Sequence, residues 1–206
     1  MRYLIDHLHT AWLLTEIHLR LSLVPLLIGL LIAVPLGAGI QHRRTLRRVT
    51  TVAAGVMFTI PSLALFILLL PWTGLSVTTA VIGLTLYSLL ILLRNVLAGM
   101  QKLPADVLES GRALGYTRFG RFIDVELFLI LPALFAGLRI ASVTLVGLAI
   151  VTALIGQGGL GQLMILGFNQ NFLTPILVSL ALSLVLSLGL DLLIARLGYS
   201  LMRWTR

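Results

Sequence analysis

Long apolar runs alternate with short polar gaps from one end of the chain to the other. The runs near 19–40, 49–70, 77–97, 128–155 and 172–197 carry few charges. Each is near or above the ~20 residues a helix needs to cross the hydrocarbon core. The pattern predicts an all-α membrane protein, five transmembrane helices in a single domain over 1–206. Prolines punctuate it: Pro25 and Pro35 predict kinks in the first run, and Pro61 lies inside the second. Pro61 followed by Ser62 in mid-span predicts a bent or broken helix lining a cavity. Residues 1–18 are mixed in character, and Leu4, Leu8, Trp12 and Leu13 fall at helical spacing. They predict a short interfacial helix in an extracytoplasmic segment. The polar start, and a long apolar run ending in arginines, argue against a cleaved signal peptide.

One interruption differs from the rest. The loop at 98–127, and within it the stretch from Ala105 onward, holds Asp106, Glu109, Asp124 and Glu126, four of the seven acidic residues. Flanked by apolar runs, it must be a loop in water, yet it reads as helix. Asp106 follows Pro104 and suits a first helical turn, with Glu109 three residues on. Val107, Leu108, Ala113 and Leu114 can share an apolar face. Gly111 and Gly115 each weaken such a helix by about 1 kcal/mol against alanine, and each lets another backbone come close. A short, glycine-bearing helix at the membrane surface suits docking into a groove on another protein.

Composition narrows the class. The chain of 206 residues is 59% hydrophobic and 11% charged, with a mean hydropathy of +1.08. That excludes disorder and an ordinary soluble domain. The net charge of +8 raises nucleic acid as a partner, but the cations cluster in gaps between apolar runs, as membrane topology demands, so no nucleic acid is expected. The absence of cysteine excludes disulfides and thiol chemistry. Arg43, Arg44, Arg47 and Arg48 fill the first gap, Lys102, Arg112, Arg118 and Arg121 the third, and Arg203 and Arg206 the tail. The gaps at 71–76 and 156–171 hold no lysine or arginine. Positive charge stays cytoplasmic, so the N-terminus is expected outside, and the C-terminus and the 98–127 loop inside.

Catalytic or metal chemistry finds little support. Gly156, Gly158 and Gly161 match G-x-G-x-x-G, with Gly159 between them. No soluble βαβ unit surrounds them and no acid follows at the required distance, so they read as a tight turn. No P-loop is present, and ATP hydrolysis would need a separate subunit. His7, His9 and His18 share the N-terminal segment without a clear third ligand, so surface histidines are expected there, with neither metal nor cofactor. Among intramembrane charges, Arg94 lies near the cytoplasmic end of its run and reads as snorkelling. Arg139 lies about 16 Å along the fourth helix. It can pair with Asp191 of the fifth, or each can reach the surface alone. Pro61, Ser62, Asn95 and Thr144, polar or helix-breaking residues in apolar spans, are the candidates for a solute pathway.

The motif Glu109-Ser110-Gly111, then Gly115, then Val125-x-Leu127 resembles the EAA loop of ABC importer permeases. Ser110 and Gly111 stand where that pattern has alanines, and Phe128 stands at its proline, with Pro132 one turn later. The resemblance implies a coupling helix, carried here by Glu109, Ser110, Gly111, Ala113, Leu114 and Gly115, that inserts into an ATPase subunit. The runs around Thr59 to Phe66, Tyr87 with Arg94-Asn95, and Ile155 to Gly161 resemble permeases of glycine betaine, carnitine and choline importers. That likeness implies that Gly156, Gly158, Gly159 and Gly161 shape an outer gate. It further implies ABC ATPase subunits, a second permease subunit (identical or paralogous) and an extracytoplasmic solute-binding protein as partners, in a bacterial inner membrane. The solute's aromatic cage would lie on the binding protein. Methionine or ergothioneine as solute, an ion-coupled secondary transporter and a membrane scaffold remain the alternatives. An ion-coupled carrier needs an intramembrane acid, for which Asp191 is the candidate.

Overall fold

The structure, a computed structural model, describes residues 7–202. Among the described residues it is helical with no strand. The order is α1 (Leu8–Ile40), α2 (Arg44–Thr59), α3 (Ser62–Thr73), α4 (Val77–Gln101), α5 (Ala105–Ala113) and α6 (Arg118–Arg121). A π-helical turn, Phe122–Glu126, leads into α7 (Leu127–Val151) and a 3₁₀ turn (Thr152–Ile155). The chain closes with α8 (Gly161–Asn169) and α9 (Leu173–Leu201).

Helix α4 is the hub, with α1 and α7 packed along it. The apposition of α1 depends on small residues. Gly29, Ala33 and Gly37 recur every fourth position, and a methyl at Gly29 would overlap Ser88 while one at Gly37 would come within 2.6 Å of Val96. A stripe of this kind lets backbones approach where lipid offers no hydrophobic drive for helix association. The Ser88 hydroxyl donates across the contact to the Pro25 carbonyl at 2.8 Å. Leu84, Leu92, Leu97, Ala141, Leu145 and Ala149 fill the core between α4 and α7.

Among the described residues, four helical stretches are long and apolar enough to cross a membrane: Leu8–Ile40, Val77–Gln101, Arg118–Ile155 and Leu173–Leu201. The expected second span is not one straight crossing. Its halves, α2 and α3, meet at 99° around Ile60 and Pro61, and they make a fifth crossing only if taken together. Pro61 brings no amide hydrogen, so the ladder breaks there. The Tyr87 hydroxyl donates to the Ile60 carbonyl at 2.7 Å, and Phe58 packs edge-on against Tyr87 with ring centroids 5.9 Å apart. A neighbouring helix thus satisfies the carbonyl that the break exposes.

Two further expectations are corrected. Residues 8–18 are not a separate interfacial helix, since α1 runs unbroken for 33 residues through Pro25 and Pro35; residues 1–6 lie outside the described part. The polar loop begins after Gln101, because α4 carries residues 98–101 as helix.

Candidate functional site

The loop between α4 and α7 is where helix ends are most specifically determined. Helix α5 has Asp106 in its first turn and Arg112 in its last, both matched to the helix dipole. It closes with two reciprocal bonds: Tyr116 N–H to the Gly111 carbonyl at 3.1 Å and Gly115 N–H to the Arg112 carbonyl at 3.0 Å. This ending needs a left-handed residue, and Gly115 supplies φ +81°. The sequence reading explained Gly115 by close backbone approach; within this chain a side chain at 115 would meet nothing within 4 Å. The crowded position is Gly111, which is buried, and where a methyl would lie 2.9 Å from Cδ of Arg121.

Glu109, Ser110, Ala113, Leu114 and Gly115 are all exposed. The expected single apolar face does not form: Val107 and Leu108 are half-buried, while Ala113 and Leu114 point away into the open. Instead Leu114 and Phe119 project at 77% and 76% exposure beside an exposed Tyr116. Tyr116 and Phe119 were missed from sequence, although large apolar side chains among Arg112, Arg118 and Arg121 are the available signal.

Beneath this surface lies a buried ion pair. Arg121 Nε donates to Glu126 Oε1 at 2.7 Å, with the side chains only 5% and 1% exposed. The second Glu126 oxygen accepts from Gln41 Nε2 at 3.0 Å. Gln41 caps the end of α1, and its carbonyl accepts from Arg47 of α2 at 3.0 Å. Glycine 111, the Arg121 stem, Glu126 and Gln41 therefore form one packed line from α5 to α1 and α2. A hollow of about 470 Å³ lined by His42, Arg112, Tyr116, Arg118 and Arg121 opens beside it.

Of the candidate pathway residues, the structure brings Asn95 and Thr144 together. They line a hollow of about 360 Å³ with Phe58, Ile91, Arg94, Ala98 and Ile140. Pro61 and Ser62 lie at the bend instead, outside that lining. Ile140 and Thr144 also line an adjoining hollow of about 450 Å³ with Ala136, Val143, Arg139 and Asp191. There the open question about Arg139 and Asp191 is answered: Arg139 Nε and Nη2 donate to the two Asp191 carboxylate oxygens at 2.7 and 2.8 Å. The pair stands open, with side chains 48% and 23% exposed.

The glycine turn is a packed joint. Gly156 takes φ +79° and ends the 3₁₀ turn. A methyl at Gly158 would overlap Ala153, one at Gly159 would overlap the α1 backbone at Leu14 and His18, and one at Gly161 would overlap the Ile150 carbonyl. Thr152 Oγ1 donates to the Gln157 carbonyl at 3.0 Å, and Ser179 Oγ to the Leu160 carbonyl at 2.8 Å. His18 is not a surface histidine: it is fully buried, with Nε2 3.0 Å from the Val146 carbonyl of α7. Its ring belongs to this joint. No group of three or more metal-ligating side chains comes together among the described residues.

Residues 26–202 match the model of the family described as "binding-protein-dependent transport system inner membrane component". The chain belongs to that family. This permease is a multi-pass membrane protein and a transport component rather than a catalytic one, and its family implies ATPase and solute-binding-protein partners. It is 34% identical to the osmoprotectant import permease protein OsmW of Salmonella typhimurium, over 96% of this chain and 94% of that one. It is 36% identical to the choline transport system permease protein OpuBD of Bacillus subtilis, over 89% and 82%. The carnitine transport permease protein OpuCD of Listeria monocytogenes is 33% identical, over 87% and 82%. Among solved structures, a chain of the methionine ABC transporter MetNI in an inward-facing conformation superposes with a TM-score of 0.81 at 24% identity. The match covers 93% of this permease and 97% of that chain, and it establishes a shared fold.

Proposed function

We propose that this permease carries quaternary-ammonium osmoprotectants such as glycine betaine, carnitine or choline inward through an ATP-driven importer. The observation that carries the reading is that relatives named for osmoprotectant, choline, carnitine and glycine betaine transport match at 33–36% identity over most of the chain. Five crossings, with α2 and α3 forming one bent crossing, leave the termini on opposite sides, and the arginine-rich gaps favour an N-terminus outside and a C-terminus inside. The α4–α7 loop is then cytoplasmic, in keeping with its arginines. There α5, through Glu109, Ser110, Gly111, Ala113, Leu114 and Gly115, docks into a separate ATPase subunit. Support comes from its exposed surface and from the apolar projection of Leu114, Tyr116 and Phe119, which a groove can bury. Five crossings make half a pathway, so a second permease subunit, identical or paralogous, completes it. Asn95 and Thr144, with Pro61 and Ser62 at the bend, lie near that pathway, and the turn holding Gly156, Gly158, Gly159 and Gly161 shapes its outer end, where the binding protein delivers solute.

Reconstitution tests the proposal. Proteoliposomes holding the permease, its ATPase and its binding protein should take up labelled glycine betaine, carnitine or choline only with ATP inside. Uptake that persists without ATP but collapses with the ion gradient would refute it.

A further inference from the structure

The Arg139–Asp191 pair is out of place for a structural ion pair. Arg139 lies twelve residues past the start of α7 and Asp191 ten residues before the end of α9. At the helical rise these are about 18 and 15 Å along their helices. Within a membrane-spanning helix a charge is costly in lipid and belongs against protein or water. Yet the pair is turned outward, at the edge of the hollow lined by Ala136, Ile140, Val143 and Thr144. A second hollow, holding Phe58, Arg94 and Asn95, shares the lining residues Ile140 and Thr144 with it. A carboxylate and a guanidinium thus face one hollow, with an aromatic ring and a second guanidinium, Arg94, in its neighbour.

We infer that Arg139 and Asp191 form a solute-contacting site that recognises zwitterions, the guanidinium meeting a carboxylate and Asp191 meeting a quaternary ammonium. The inference rests on the osmoprotectant reading above. Charge balance supports it. The closed pair is neutral, and the pair opened around a zwitterion remains neutral. A solute bearing only a cation satisfies Asp191 but leaves the Arg139 charge without a counterpart in a low-dielectric setting. Guanidinium suits the carboxylate end, because donors beyond the two engaged by Asp191 remain for a planar acceptor.

The experiment compares two solutes of one class that differ in the carboxylate. The assembled importer, with its ATPase and binding protein, is reconstituted and assayed for uptake of glycine betaine and of choline. Arg139→Gln is expected to lower glycine betaine uptake about tenfold, the scale of a lost charged hydrogen bond, and to leave choline within about threefold. Asp191→Asn is expected to lower both. Equal losses of both solutes in Arg139→Gln would make the pair a structural tie and overturn the site alone. A wild type that moves neither solute overturns the osmoprotectant reading itself, and one that moves choline alone overturns the site. A second measurement keeps the pair intact. Val143→Cys, the sole cysteine in the chain, is treated with a water-soluble maleimide in the assembled importer. Labelling is expected to be slowed more by saturating glycine betaine than by choline, and where glycine betaine alone is transported this comparison decides. Protection from label in every nucleotide state would show the face sealed by a second subunit or by lipid and would overturn the proposal.

Discussion

Two arginine–carboxylate pairs of the same length, 2.7 Å, sit in opposite settings. Arg121–Glu126 is closed in, 5% and 1% exposed, under the loop between α4 and α7. Arg139–Asp191 is open, 48% and 23% exposed, on the face shared by α7 and α9. The first joins residues five apart and recruits Gln41 from a distant helix end. The second joins residues 52 positions apart on two helices and is bidentate. A buried pair completed by a further hydrogen bond has little freedom left, so it holds a loop in place. An open pair can exchange partners. The two settings suit the roles proposed above, coupling for the first pair and solute contact for the second.

The largest effect is expected where a single charge is stranded. Glu126→Ala leaves the Arg121 guanidinium buried without a counter-ion, a loss of about 3–5 kcal/mol. Thermal unfolding of the purified permease in detergent should show it as a large fall in midpoint. Replacing both, Arg121→Met with Glu126→Leu, should restore most of the stability while leaving transport impaired. If the double variant also transports normally, the pair is not part of the coupling path.

Gly159→Ala comes next, because its methyl meets the backbone of α1 at Leu14 and His18. Overpacking of this kind costs about 1–3 kcal/mol, to be read from the same unfolding curve. Gly115→Leu is expected to cost less stability than Gly159→Ala, chiefly the backbone strain of φ +81°, about 1–2 kcal/mol. Its functional loss should be greater: solute-stimulated ATP hydrolysis should fall while insertion stays normal. Full coupling in a well-inserted Gly115→Leu protein would remove this loop as the joint. The smallest stability change belongs to the open pair. Asp191→Asn should leave the unfolding midpoint near wild type, and a drop matching that of Glu126→Ala would erase the contrast between the two pairs.

The order of the helices was legible from the chain because apolar runs in a membrane protein are long and the gaps between them short. Four runs appear as stretches able to cross a membrane, with ends close to the hydrophobic boundaries except where α1 extends back to Leu8 and the stretch expected from 128 begins at Arg118. The loop helix was legible from Pro104, Asp106 and the two glycines, since caps and turns are local chemistry. The bend at Pro61 was legible in kind, while its 99° angle depends on how Tyr87 of α4 holds the Ile60 carbonyl.

What hydropathy could not show was which polar side chain meets which. His18 reads as one of three surface histidines, yet α7 covers it and offers the Val146 carbonyl. Glu126 reads as one acid in a polar loop, yet Arg121 and Gln41 enclose it. Gly115 and Gly111 look alike in sequence; one is required by its own backbone angle and the other by the Arg121 stem lying across it. Sequence determines local propensity and the partition between lipid and water, because both act on residues a few positions apart. Pairings across 85 or 128 positions are decided by tertiary packing, where small-residue stripes set helix spacing and spacing sets which polar groups come within reach.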